Sequence, residues 1–254
     1  MSIATDIFSR VPVKALVPAV ALQYRLFEPE LRHLGDFVPA DRNAVDAGVW
    51  WGPWSWWLSR RAPHVDSFEP NPSLVAKLRT ALPGNVTLHQ VALSDEPGET
   101  TLWLPPGGAG TEGRASLHER DRPAAGWRPE TTVTARLDDF ELHNVGFIKI
   151  DVEGHELAVL RGAVETIERE RPNLMVEVEG NDDRDDLIDA VIEFFAERSY
   201  SGQYVLGGKW HPISDLDRVA TRQMADKVAK HGMATNMLLY ARHYVHNFVF
   251  KPVG

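Results

Sequence analysis

The chain has 254 residues, 43% of them hydrophobic and 25% charged, which suits one large α/β domain or two small ones with a substantial core. A formal net charge of −9 argues against a nucleic-acid backbone as the main partner, because phosphate binding needs a basic surface. The absence of cysteine excludes disulfides, thiolate metal sites and a thiol nucleophile, in keeping with a reducing, cytoplasmic setting.

No membrane span is expected. Val11 to Leu22 is apolar but short, and Pro12, Lys14 and Pro18 interrupt it. Ala19-Val20-Ala21 imitates a signal-peptidase site, yet Arg10 and Lys14 fall where an unbroken apolar stretch belongs. Residues 1–40 therefore read as a helical lead-in that packs on the domain or a partner, and 41–254 as a single domain. Glu28 to Leu31 begins a short helical stretch ending near Gly35. Ala44 to Asp46 ends a strand, and Trp54 to Arg61 is helical with Pro53 suited to its first turn. Val65 to Glu69 is a second strand. Ser73 to Leu82 is a helix stopped by Pro83-Gly84, and Val86 to Leu93 is a third strand. Thr100 to Leu104 is an extended excursion with a hairpin partner nearby. Residues 105–130 form a long loop, read either as a lid carrying Ser116, His118, Glu119 and Arg122 or as a disordered insertion. Thr131 to Ala135 restores order.

Phe147-Ile-Lys-Ile-Asp151 then reads as a buried parallel strand, and Gly154 as its turn. Leu157, Leu160, Val164 and Ile167 fall on one face of a following helix. Asn173 to Glu179 is a strand and Asp185 to Arg198 a helix. The five aspartates at its start, between Asp182 and Asp189, suit a solvated helix end better than a calcium loop. Tyr204 to Leu206 and Met237 to Tyr240 are late strands joined through a helix near 215–230. This alternation implies a largely parallel sheet with helices on both faces.

In such sheets ligands bind at the carboxyl ends of the strands. Asp46-Ala-Gly-Val-Trp-Trp-Gly52 joins the first strand to its helix, with Gly48 and Gly52 letting the backbone pass close to a ligand. Glu69 ends the next strand, where a carboxylate can accept both hydroxyls of a ribose. A dinucleotide turn wants Gly-x-Gly-x-x-Gly; here the spacing is Gly-x-x-x-Gly, and Trp50 and Trp51 would crowd a pyrophosphate. The turn thus favours S-adenosylmethionine over NAD. An NAD-dependent oxidoreductase remains a less favoured alternative.

The chain resembles the FkbM-type family of S-adenosylmethionine-dependent methyltransferases. The resemblance rests on Asp46-x-Gly48-x-x-x-Gly52, Phe68-Glu-Pro-Asn71, Ala92-Leu-Ser-Asp95 and Arg136-Leu-Asp-Asp139. Its most specific block is Phe147-Ile-Lys-Ile-Asp-Val-Glu-Gly-His-Glu-Leu-Ala-Val-Leu-Arg-Gly-Ala163, and Arg171-Pro172 followed by Glu177 adds to it. It implies a class I methyltransferase (Rossmann-like) sheet of about seven strands, the last antiparallel, and O-methylation of a hydroxyl on a sugar or specialised metabolite. It also implies that Asp46, Gly48 and Gly52 surround the methionine end of the cofactor, with Trp50 in the same turn. Glu69 would hold the ribose with Asn71 beside it, and Ala92, Leu93 and Ser94 would flank the adenine. Asp151 would face the methyl group and the acceptor. The family pattern has Ala-Asn after Gly48, where this chain has Val49-Trp50. A non-catalytic or cofactor-impaired relative acting as a binding module is therefore a further alternative.

Attack by a hydroxyl requires loss of its proton, and Asp151, Glu153, His155 and Glu177 are the candidate bases, with Asp151, His155 and Glu177 preferred. His155 also reads as an ordinary first-turn residue, and Glu156 as an acid favoured by the helix start. Asp151 and Glu177, on adjacent strands, form a candidate Mg2+ site that Glu179 and Asn181 could join. Trp54, Trp57 and Leu58 read as core, and Trp50 and Trp51 as ligand contacts. The acceptor expected is a small or glycosylated molecule. A homo-oligomer is one assembly left open.

Overall fold

The computed structural model describes residues 12–106, 115–117, 126–178, 185–230 and 243–254. Among the described residues the first element is α1, Val13–Phe27, which buries Leu16, Val17, Val20 and Ala21, and a 3-10 turn at Pro29–Arg32 leads into the short α2, Leu34–Phe37. β1 (Asn43–Ala47), α3 (Pro53–Leu58), β2 (Val65–Phe68), α4 (Pro72–Leu78) and β3 (Val86–His89) follow. β4 (Ala92–Leu93), β5 (Gly98–Leu104) and β6 (Arg128–Ala135) make a small second sheet in the order β4-β6-β5. The main sheet resumes with β7 (Val145–Ile150), and α5 (Glu156–Arg161), α6 (Val164–Glu170) and β8 (Asn173–Glu177) come next. The chain closes with α7 (Asp185–Ala196), β9 (Tyr200–Leu206), β10 (Lys209–Pro212), α8 (Arg218–Lys230) and β11 (Asn247–Pro252). No described helix is long and apolar enough to cross a membrane.

The main sheet runs β10-β9-β11-β8-β7-β1-β2-β3. β3, β2, β1, β7 and β8 are mutually parallel, and β11 enters antiparallel between β8 and β9. The strand order reverses between β1 and β7, which creates a crevice at their carboxyl ends. Alternate residues of the buried strands feed two cores. Val45, Ile148, Ile150 and Val176 pack under Leu160, Ile167, Val191 and Phe195. Ala44, Phe147, Met175 and Val249 pack against Trp54, Leu58 and Phe37.

Several expectations are corrected. The main sheet has eight strands rather than about seven, because Gly207 and Gly208, at φ +59° and +77°, fold β10 back on β9. The expected strand from Val86 to Leu93 divides: β3 stays beside β2, while Ala92 and Leu93 cross to pair with β6. The helix expected across Leu157 to Ile167 breaks at Gly162, which caps α5 and lies against the backbone of Ser94; a Cβ there would come within 2.0 Å of the Ser94 carbonyl oxygen. Order also returns at Arg128, before the expected end of the loop, because β6 pairs with the whole of β5. The antiparallel last strand is formed by Asn247–Pro252; Met237 to Tyr240 lie outside the described residues.

Candidate functional site

Register brings three strand ends side by side. Ala47 is opposite Phe68 on one flank and Ile150 on the other, so Gly48, Glu69 and Asp151 all follow at the same height. Gly48 N–H donates to the Phe68 carbonyl and Asp151 N–H to the Ala47 carbonyl, each at 3.0 Å. Gly48 has φ +87°, and a Cβ on it would lie 1.7 Å from the Asp151 carbonyl oxygen. Only glycine allows the two turns to meet.

Above this junction is a pocket. Its walls include Gly48, Trp50, Glu69, Ala92, Leu93, Asp151 and His155, seven of the residues expected at the site, together with Leu102, Ala115 and Leu117 from the second sheet and the segment after it. Glu69 is 5% exposed and accepts from the backbone N–H groups of Trp50 and Asn71, each at 2.9 Å. Burial pushes its carboxyl up to about 7, while those N–H groups work to keep it ionised. Trp50 holds a left-handed φ of +49°, which costs a non-glycine residue roughly 1 kcal/mol. The bond to Glu69 offsets part of that cost. Its ring rests on Tyr24 of α1 at 5.3 Å between centroids.

The other expected residues take supporting places. Asp46 is fully buried and accepts from Ser55 Oγ at 2.5 Å; Ser55 also meets Ser67 at 2.9 Å. Gly52, at φ +77°, packs toward Leu82 and Val17. Asn71 caps α4 by accepting from Ser73 N–H at 3.0 Å. His155 Nε2 meets Ser94 Oγ at 2.9 Å, so the imidazole stands on the side of the pocket formed by Ala92 and Leu93. Glu156 accepts from Gly154 N–H at 2.9 Å, which braces the turn that Glu153 and Gly154 make at φ +53° and +97°. Trp51 is buried against Leu16, Val17, Leu74 and Leu78, so it belongs to the core rather than to a ligand. Ser116 lies beside Glu153, donating to its carbonyl at 3.2 Å. His118, Glu119, Arg122, Glu179, Asn181, Asp182 and Asp183 lie outside the described residues.

The sequence reading missed the charge cluster beneath the pocket. Lys149 is 1% exposed and pairs with Asp151 at 2.8 Å, since residues two apart share a strand face. Burial acts to lower its pKa, but Asp151, Asp46, Glu28 and Glu177 together outweigh that and raise it. Asp151 is thus engaged by Lys149. Glu177 approaches His246, at 4.0 Å. Glu28, at the end of α1, accepts from Trp54 Nε1 at 2.5 Å. Burial pushes Glu28 up to about 7 and Asp46 up to about 6, with Lys149 opposing both shifts; burial pushes His246 down to about 4. The available signal was Lys149 itself, a cation set inside an apolar strand.

These shifts give the fold an unusual pH profile. Glu28 and Glu69 rise to about 7, and Glu30 to about 8, from an ordinary 4.5, so folding takes up protons across that window and stability falls as pH rises through it. His246 works the opposite way, but only between about 4 and its ordinary 6.5. Above pH 6.5 the carboxylates act alone. The melting temperature is expected to fall between pH 6.5 and 8, by roughly 2–4 °C for each kcal/mol lost. Calorimetric scans in matched ionic strength check this, and a level or rising profile counts against it.

Comparison with known proteins agrees with this architecture. Residues 45–201 match the family described as the methyltransferase FkbM domain. Among solved structures, a methyltransferase FkbM from Methylobacillus flagellatus is 17% identical, with a TM-score of 0.48, over 84% of this chain and 44% of that one. This chain therefore spans less than half the length of that protein. A methyltransferase candidate from Streptococcus mutans in complex with SAH is 12% identical, with a TM-score of 0.46, over 88% of this chain and 96% of that one. An rRNA methylase from Streptococcus thermophilus is 9% identical, with a TM-score of 0.46, over 89% and 95%. No curated protein sequence matches. With the matched segment covering more than half of its length, the chain belongs to the methyltransferase FkbM domain family.

Proposed function

We propose that this protein is an S-adenosylmethionine-dependent methyltransferase acting on a hydroxyl of a sugar or specialised metabolite. The observation that carries this reading is the convergence of Gly48, Glu69 and Asp151 on one pocket. The pocket suits the cofactor: the Gly48 turn has no room for a side chain at its back, and Glu69 offers a buried carboxylate where ribose hydroxyls would donate. When bound, the cofactor supplies an electrophilic methyl group on a sulfonium. This chain's residues do the rest. Glu69 orients the ribose, and Ala92 and Leu93 form an apolar slot beside His155. Asp151, held in place by Lys149, faces the acceptor and takes its proton. Residues 41–254 act in this proposal as one methyltransferase domain, with 1–40 as a lead-in. A net charge of −9 supports a small or glycosylated acceptor over a nucleic acid.

Calorimetric titration with S-adenosylmethionine tests the reading. Saturable binding is expected, weakened about 10- to 100-fold by Glu69→Gln, since a hydrogen bond to a charged group contributes roughly 1.5–3 kcal/mol. Absence of binding to the parent protein at high concentration removes the reading. One observation favours the cofactor-impaired alternative: Trp50 stands at the family's asparagine position and lines the pocket. Tighter cofactor binding by Trp50→Asn than by the parent would support that alternative.

A further inference from the structure

Glu28, Glu177 and His246 reach one point from three separate parts of the chain: the end of α1, the end of β8 and the residue before β11. One ligand atom from each lies within 4.8 Å of the other two. We propose that these three side chains bind a first-row transition-metal dication. Glu28 is 5% exposed, and Glu177 and His246 have side-chain exposures of 16% and 14%, so the group is an internal one and not a surface cluster of acids. Glu28 is fixed by Trp54 through Oε2, which leaves its other oxygen as the donor. Val178 N–H donates to the His246 carbonyl at 2.7 Å, tying the backbone of the imidazole to that of Glu177.

Charge calls for a cation here. Four carboxylates, from Asp151, Asp46, Glu28 and Glu177, act on one ammonium, that of Lys149. Lys149 Nζ is drawn to Asp151 at 2.8 Å. Buried negative charge in excess is costly unless it is paired, metal-bound or neutralised by protonation. Donor atoms on one tetrahedral ion sit about 3.4 Å apart, so closure needs a shift of about an ångström or so, within the torsional reach of two glutamates. One imidazole with two carboxylates favours Zn2+ or Mn2+ over Mg2+ or Ca2+. Three protein ligands leave a further coordination position open on the ion. The binding of the ion does not rest on the proposed function.

The test is calorimetric titration of the full chain with Zn2+, and separately Mn2+, in the absence of S-adenosylmethionine. One ion per chain is expected, with Mg2+ far weaker. His246→Gln and Glu28→Gln, each verified as folded by its melting curve, are each expected to weaken binding by at least about tenfold. Glu28→Gln keeps an acceptor for Trp54 Nε1, so it removes the ligand without removing the support. No 1:1 binding of either ion, or binding untouched by both substitutions, overturns the proposal. A parallel cofactor titration separates the outcomes: cofactor bound with no metal sinks only the metal site, and metal bound with no cofactor sinks only the methyltransferase reading.

Discussion

Gly48→Ala is expected to abolish the site and to destabilise the fold by about 3 kcal/mol or more. The added methyl group would lie 1.7 Å from the Asp151 carbonyl oxygen, and the φ of +87° is one that alanine resists. Neither turn can retreat. The Gly48 N–H is bonded to Phe68 and the Asp151 N–H to Ala47, so moving either one pulls apart the ladders of β1 with β2 and β7. Thermal unfolding and cofactor titration read the two effects together. Gly84→Ala is the matched control, since a Cβ there meets nothing within 4 Å. A Gly48→Ala protein that melts with the parent and still binds cofactor would show that the junction of the two turns is not what builds the pocket.

The second large effect is expected at Lys149. Lys149→Met keeps much of the side chain's length and its apolar stem but deletes the ammonium. Breaking a buried pair by removing one partner typically costs about 3–5 kcal/mol, because the other charge is left uncompensated. Here four carboxylates lose their common counter-charge. The loss has a direction in pH. Burial pushes Glu28 and Asp46 up, and Lys149 opposes it, so that they come to about 7 and about 6 with the ammonium in place. Without it both rise further, so the variant is weakest above neutrality and recovers as acid protonates the cluster. Urea unfolding at pH 5 and pH 8 measures this. A deficit that is equal at both values, or larger at pH 5, would contradict the charge assignment.

Much of the sheet and one side of the site are legible in the sequence. Buried parallel strands are continuous apolar runs, so Phe147 to Ile150 and Asn173 to Val176 announce themselves, and the residues after them mark the ligand-binding edge. The pocket wall at Gly48 and Glu69 follows, since both residues are fixed by neighbouring strand ends. Three things resist such reading. Ala92 to Ser94 leave the main sheet for β6, and this crossing, invisible in local pattern, draws His155 to Ser94. Trp50 and Trp51 are adjacent and chemically identical, yet Trp51 is fully buried in the core, whereas Trp50, at φ +49°, packs on that core beside Tyr24 and also lines the pocket. Glu28, Glu177 and His246 lie on unrelated segments, and only the insertion of β11 beside β8 brings the latter two together. Lys149 was visible but resembles a surface lysine until its strand is known to be buried on both faces.

α1 imposes a constraint of length. Its Leu16, Val17 and Val20 seat it on Trp51, Leu74 and Leu78; one turn on, Tyr24 stacks against Trp50, and Glu28 follows at the helix end to take Trp54. An α-helix turns by about 100° and advances about 1.5 Å for each residue. Deleting a single residue between Val20 and Tyr24 would leave the apolar seat intact while swinging both Tyr24 and Glu28 off their partners. Substitutions on the outer side, at Leu22 or Leu26, would change neither. The helix is therefore a spacer of set phase, and selection acting on it would hold the residue count more tightly than the residue types.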